Sequence, residues 1–98
     1  MKIYISGPIT GYENGNFDAF ERAEKLILSW GHEPINPHKV CKDLPPTALW
    51  EDYMRADIKV LMDADAVYIL HNWQKSKGAK IEIALAKWLG LKIILGDL

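Results

Sequence analysis

Asp57 and Glu82 are the two acids whose placement in the chain points to chemistry. Around the first, Trp50, Tyr53, Met54, Ile58 and Leu61 recur at helical spacing and form an apolar stripe. Asp57 falls inside that stripe, between Met54 and Leu61. A carboxylate on an apolar helix face must be paired, hydrogen-bonded or turned to a cleft. An ion pair with Arg55 or Arg22 is the structural alternative. Glu82 closes the stretch SKGAKIE, near the start of another helical segment and just off an apolar face made by Ile81, Leu85 and Trp88. There the helix dipole is expected to hold it ionised. An ionised, partly buried carboxylate is a competent nucleophile toward an oxocarbenium-like sugar carbon. The plain alternative is an ordinary helical glutamate that compensates the dipole.

Neighbouring residues fit the same chemistry. Ser76 offers a hydroxyl and Gly78 allows close backbone approach, so with a helix N-terminus they suit a phosphate. In SGPITG, Ser6, Gly7 and Gly11 could turn backbone N–H groups toward an anion, with Pro8 and Ile9 between them. The stretch is neither GxGxxG nor a P-loop, and taken alone it reads first as a simple tight turn. Trp73 falls in a loop and could stack on a base. His38 and His71 also fall in loops, but no spacing of His, Cys, Asp and Glu gives a metal site. No cofactor is implied.

These residues must be positioned by a recognisable alternation of elements. Lys2–Ser6 reads as a strand, 7–15 as a loop, and the segment from Asn16 as a helix carrying Phe17, Phe20, Ala23, Leu26, Ile27 and Trp30 on one face. Asn16 is the expected cap and Gly31 the expected stop. Glu33–Asn36 is a short strand confined to an edge by Pro34. Residues 37–46 hold three prolines and read as a loop; Thr47 should cap the next helix, which runs to about Met62. Ala66–Leu70 is an apolar strand, as expected of one buried on both faces. A loop over 72–77, a helix over Ala79–Leu89 ended by Gly90, and a strand over Lys92–Leu95 complete the chain. The order β-α-β-α-β-α-β predicts a three-layer α/β/α, flavodoxin/Rossmann-like domain with four parallel strands in the order 2-1-3-4. In such sheets ligands sit beyond the carboxyl ends of the strands. That rule gathers four loops: Ser6–Gly15, 36–46 (which begins with Asn36, a further binding candidate), 71–77, and Gly96 onward.

Bulk composition narrows the function classes. The chain has 98 residues and reads as a single domain over 1–98. Hydrophobic residues make up 49% of it, enough for a core. A net charge of -1 gives no electrostatic footprint for a nucleic-acid polymer or an anionic membrane. One cysteine, Cys41, cannot form an internal disulfide, and the N-terminal apolar run is too short for a signal or a span. A cytoplasmic protein is expected. Trp50, Tyr53 and Trp88 supply more aromatic surface than a four-stranded core should cover, which predicts a homodimer or larger homo-oligomer.

Three segments, MKIYISGPITG, YMRADIKVLMDADAVYIL and SKGAKIEIALAKWLG, resemble the nucleoside 2-deoxyribosyltransferase-like superfamily, and within it the small bacterial and phage group DUF4406. The resemblance spans nearly the whole chain. It implies a small-molecule nucleoside or nucleotide partner and an N-glycosidic reaction. Glu82 would attack the anomeric carbon, Asp57 would assist by proton transfer or orientation, Ser76 and Gly78 would hold a 5′-phosphate, and the Ser6–Gly11 loop would line the sugar and base pocket. Members are commonly longer, with a fifth strand, where this sequence has room for four. Non-catalytic binding of a nucleotide or nucleotide-sugar in the same crevice is the competing reading, and an interaction protein working through its aromatic surface is the third.

Overall fold

The computed structural model describes residues 1–96. The continuation of the fourth crevice loop past Gly96 lies outside the described residues. The elements are β1 (Lys2–Ser6), α1 (Phe17–Ser29), β2 (Glu33–Ile35), α2 (Pro37–Val40), α3 (Trp50–Leu61), β3 (Ala66–Ile69), α4 (Lys77–Trp88) and β4 (Lys92–Leu95), with short 3-10 turns at Glu13–Asn16 and Trp73–Lys75. All strand pairs are parallel and the order is β2-β1-β3-β4, as expected from the alternating pattern.

Strand alternation sorts the core into two layers. Ile3, Ile5, Ala66, Tyr68 and Leu70 face α1, where they meet Phe20, Ala23 and Ile27. Tyr4, Val67 and Ile69 face the opposite way, toward Leu61 of α3 and Ala79, Ile83 and Ala86 of α4. Ser6 shares the face of Tyr4 and is completely buried. β1 and β3 are central and buried, apart from Lys2 at the start of β1, whereas β2 and β4 are half-exposed edges. Among the described residues no helix is long and apolar enough to cross a membrane.

Four local expectations need correction. Asn16 takes a left-handed conformation (φ 62°) and its side chain donates to the Pro8 carbonyl at 3.0 Å, so it ties the β1 loop down instead of capping α1. Residues 37–46 are not all loop, because Asn36 accepts a hydrogen bond from His38 N–H at 3.0 Å and starts the short helix α2 with Pro37 in its first turn. Thr47 does not cap α3. That helix begins at Trp50, where the Asp52 carboxylate accepts from Leu49 N–H at 2.9 Å. Lastly, α4 buries Ala79, Glu82, Ile83 and Ala86, while Ile81 and Trp88 are turned out, Trp88 to 88% exposure. The small residues face inward because they let α4 lie close against the sheet. Large apolar side chains are thus a poor guide to the face of this helix. Gly31, at φ +81°, ends α1 as expected.

The start of α3 matters because this helix carries Asp57. Asp52→Ala should lower stability by about 1 kcal/mol, whereas Thr47→Ala should change it by less than about 0.5 kcal/mol. Urea midpoints of the two variants check this, and an equal loss in both would put the cap back at Thr47.

Candidate active site

The site is built from the inner face of β1. Tyr4 and Ser6, two apart on one strand, point to the same side and meet the carboxylate that α4 turns inward. The Tyr4 hydroxyl donates to Glu82 Oε2 at 2.8 Å, and the Ser6 hydroxyl donates to Oε1 at 2.8 Å. Glu82 is 5% exposed, so each carboxylate oxygen exchanges water for a fixed hydroxyl. Burial pushes its carboxyl up to about 7, the two hydroxyls pull it back, and the nearby Asp57 charge raises it further. The expectation that the helix dipole holds Glu82 ionised therefore fails. Glu82 is the sixth residue of α4, beyond the first turn over which the dipole acts, and desolvation outweighs it.

Asp57 comes from α3 and is also 5% exposed. Among the described residues no arginine pairs with it. Its Oδ1 accepts from the Cys41 thiol, with sulfur and oxygen 3.2 Å apart. Burial raises its carboxyl to about 6, against the lowering effects of the Cys41 thiol and the Tyr4 hydroxyl. The same crowding acts on the donors. Burial and the Glu82 and Asp57 charges hold the Tyr4 phenol well above its usual range, and burial and Asp57 push the Cys41 thiol up to about 12.

Both carboxylates line a cavity of about 780 Å³ at the carboxyl edge of the sheet. Tyr4, Gly7, Ile9 and Thr10 come from β1 and its loop; Pro37, His38 and Cys41 from α2 and its end. Trp50, Glu51, Tyr53 and Met54 come from α3, Lys75 from the 3-10 turn before α4, and Ser76, Lys77 and Gly78 from the start of α4. The Ser76 hydroxyl accepts from Ala79 N–H at 3.1 Å and so caps α4. Lys77 lies over the Trp50 ring, its ammonium 4.4 Å from the centroid. At Gly7 a Cβ would stand 2.7 Å from the Leu70 Cβ, so glycine is required for β1 to turn off the sheet beside β3.

Not every sequence candidate reaches this cavity. Glu82, Asp57, Gly7, Ile9, Ser76 and Gly78 line it, and Ser6 stands behind Glu82. Pro8 and Gly11 are off the lining, Pro8 serving as acceptor for Asn16. Asn36 is buried and occupied, its amide donating to Glu24 at 3.2 Å while its oxygen caps α2. Trp73 is a correction: it packs on the α4 layer of the core and borders a separate groove with Lys80, Ile83 and Trp88. Sequence reasoning missed Tyr4 and Cys41. Period-two alternation from Ser6 gives Tyr4, whereas no local pattern marks Cys41, because its contact with Asp57 spans α2 and α3. Among the described residues no cluster of three or more His, Cys, Asp and Glu could hold a metal ion.

Comparison with known proteins agrees with this architecture. The family described as "Domain of unknown function (DUF4406)" matches residues 1–95. No curated protein matches the sequence. Among solved structures, the 2-deoxyribosyltransferase of the psychrotolerant bacterium Bacillus psychrosaccharolyticus superposes with a TM-score of 0.80 at 19% identity, over 99% of this chain and 72% of that one. At that identity the likeness is one of fold.

The raised Glu82 carboxyl makes stability depend on pH with a defined sign. The folded state binds this proton more tightly than the unfolded chain, so its stabilising share is full below the ordinary glutamate range and is lost as pH rises through about 7. Glu82→Gln removes the ionisation but keeps the shape. Between pH 5 and 8 the stability of the variant relative to the parent should therefore rise, by on the order of 3 kcal/mol. Urea unfolding across this range measures the difference, and a pH-independent offset would mean that Glu82 ionises normally in the fold.

Proposed function

Because the chain belongs to the DUF4406 family and has the fold of a 2-deoxyribosyltransferase, we propose that it cleaves or transfers the N-glycosidic bond of a deoxynucleoside or deoxynucleoside 5′-monophosphate. One observation carries this reading: a buried carboxylate, Glu82, is held by two hydroxyls on the wall of a cavity that a second carboxylate, Asp57, also lines.

The proposed steps follow from that arrangement. A Glu82 oxygen attacks C1′ of the sugar as the C1′–N bond breaks, and the bond's electron pair leaves with the base. Asp57 delivers its proton to the departing base nitrogen. Tyr4 and Ser6 fix the carboxylate so that little reorganisation is needed. In the second half, water or another base attacks C1′, the ester bond to Glu82 breaks, and Asp57 recovers a proton from the incoming nucleophile. Water gives a hydrolase and a second base a transferase. With one carboxyl near 6 and the other near 7, the pair carries a single proton in the window between them. Glu82, the weaker acid of the two, holds that proton most of the time, so the reactive form, with the proton on Asp57 and Glu82 free, is the minority arrangement of the pair.

A 5′-phosphate is placed against Ser76 and Gly78, where Lys75 and Lys77 flank the start of α4. In this reading residues 1–98 form one domain. Trp88 and the α3 aromatics, exposed in the single chain, are taken as contacts of a homodimer or larger assembly. Binding without turnover remains the second reading, since each Glu82 oxygen already accepts one hydroxyl and could be a recognition group alone.

Incubation with deoxynucleosides and their 5′-monophosphates, read for free base, should show turnover with a bell-shaped pH profile whose limbs lie at about 6 and 7. Glu82→Gln should lower the rate roughly 10³-fold or more, and Asp57→Asn roughly 10²-fold. A 2-fluoro-deoxynucleoside should leave a mass adduct on Glu82. If nothing turns over and no adduct forms, while a nucleotide still raises the melting temperature, the binding reading replaces this one. Ser76→Asp keeps a capping residue and adds a negative charge, so it should weaken monophosphates but spare nucleosides; equal affinity for both would misplace the phosphate. Sedimentation should show a dimer or larger at roughly tens of micromolar, and a monomer there removes the assembly.

A further inference from the structure

Cys41 is left unused by the mechanism above, yet it is the side chain bonded to one of its two acids. It follows α2 directly, is half-buried, and lines the cavity. Its sulfur lies 3.2 Å from Asp57 Oδ1, with the Tyr53 carbonyl oxygen a longer alternative at 3.9 Å. The place of the sulfur is fixed from outside the cavity. Asn36 starts α2 and donates to Glu24 of α1, Lys39 pairs with the same Glu24, and the His38 ring donates to the Gly15 carbonyl at 2.8 Å. A helix of only four residues is thus tied to α1 and to the turn before it, and what it presents to α3 is a thiol.

We propose that Cys41 is a positioning residue for Asp57: held by α2, its S–H donates to Oδ1 and keeps the carboxylate aimed into the cavity beside Glu82. The proposal rests on Asp57 being the proton carrier of the reaction. Thiol chemistry fits the task in two respects. A thiol is a weaker donor than a hydroxyl, so it fixes direction without strongly favouring the charged carboxylate, and Asp57 can still take up a proton near neutral pH. Placed against a carboxylate and partly desolvated, the thiol also stays protonated, so it remains a donor and does not compete with Glu82 as a nucleophile. The titratable groups facing Asp57 are Cys41 from the end of α2, Tyr4 from β1 and Glu82 from α4.

The test reads Asp57 directly, by carbon-13 NMR titration of its carboxyl in the substrate-free protein, for the parent, Cys41→Ser and Cys41→Ala. A serine hydroxyl is the stronger donor and should lower the Asp57 midpoint by roughly half a pH unit or more, whereas alanine removes the donor and should raise it by a similar amount. If alanine prevents folding, the near-isosteric serine variant carries the comparison. In the parent, Cys41 should react with a disulfide reagent at pH 8 at least about ten times more slowly than free cysteine, and Asp57→Asn should speed it up. An Asp57 midpoint that is the same in all the folded proteins overturns the proposal, and so does a parent thiol as reactive as free cysteine. Neither readout needs turnover, so a failure here is distinct from a failure of the glycosidic reading, which shows as no free base and no adduct from the parent protein. Where turnover is found, the serine variant should move the Asp57 limb of its pH profile and leave the Glu82 limb in place.

Discussion

A carboxylate taken out of water must be given donors, and the donors must be held as firmly as the acid itself. In this chain the acid is Glu82, and among the described residues its two donors come from a single strand. Tyr4 and Ser6 reach its two oxygens because residues two apart on a strand share a face, and because α4 lies against that face. Ala79 and Ala86 bring α4 close to the sheet, so Glu82 is pressed against β1 and not left at the solvent edge. No buried side-chain nitrogen or oxygen lacks a partner among the described residues, so the polar floor is fully satisfied before any ligand arrives.

That floor explains the electrostatics. Desolvation raises both acids and the Asp57 charge raises Glu82 further, while hydroxyl and thiol donors limit the rise. The result is a pair of carboxyls raised toward neutral pH, an arrangement that costs the fold stability as the pair ionises. Satisfied hydrogen bonds offset part of that cost. Tyr4 stands between the two acids: its hydroxyl donates to Glu82, and it also has a smaller lowering effect on Asp57.

Much of this was legible in the sequence, for reasons that differ by residue. The sheet order follows from alternating periods and an apolar β3. Asp57 stood out because a charge inside an apolar stripe is anomalous. Glu82 was found for its place near a helix start, but its environment was misread: weighing large side chains put the buried face of α4 at Ile81 and Trp88, when the alanines face the sheet. Trp73 sits in a segment at the carboxyl edge, which points to the cavity, yet it opens a 3-10 turn and packs onto the α4 layer. Cys41 was illegible, since its partner is sixteen residues away and the contact depends on how α2 docks.

The distribution of the site over the fold also bears on how much chain it needs. β1 and β3 are the central strands, and every hydrogen bond to the two acids is made by residues between Tyr4 and Glu82. β4 pairs with β3 at the far edge and contributes nothing to the cavity lining. A strand added beyond β4 would extend the sheet away from Glu82, on the side opposite β1. The acid pair is therefore independent of sheet width in physical terms: its geometry is set by a strand, two helices and the short α2. Changes in the loops that line the rim can therefore alter the cavity mouth without disturbing its floor. What the cavity can admit is then set at the rim, while the buried carboxylate and its two hydroxyls stay as they are.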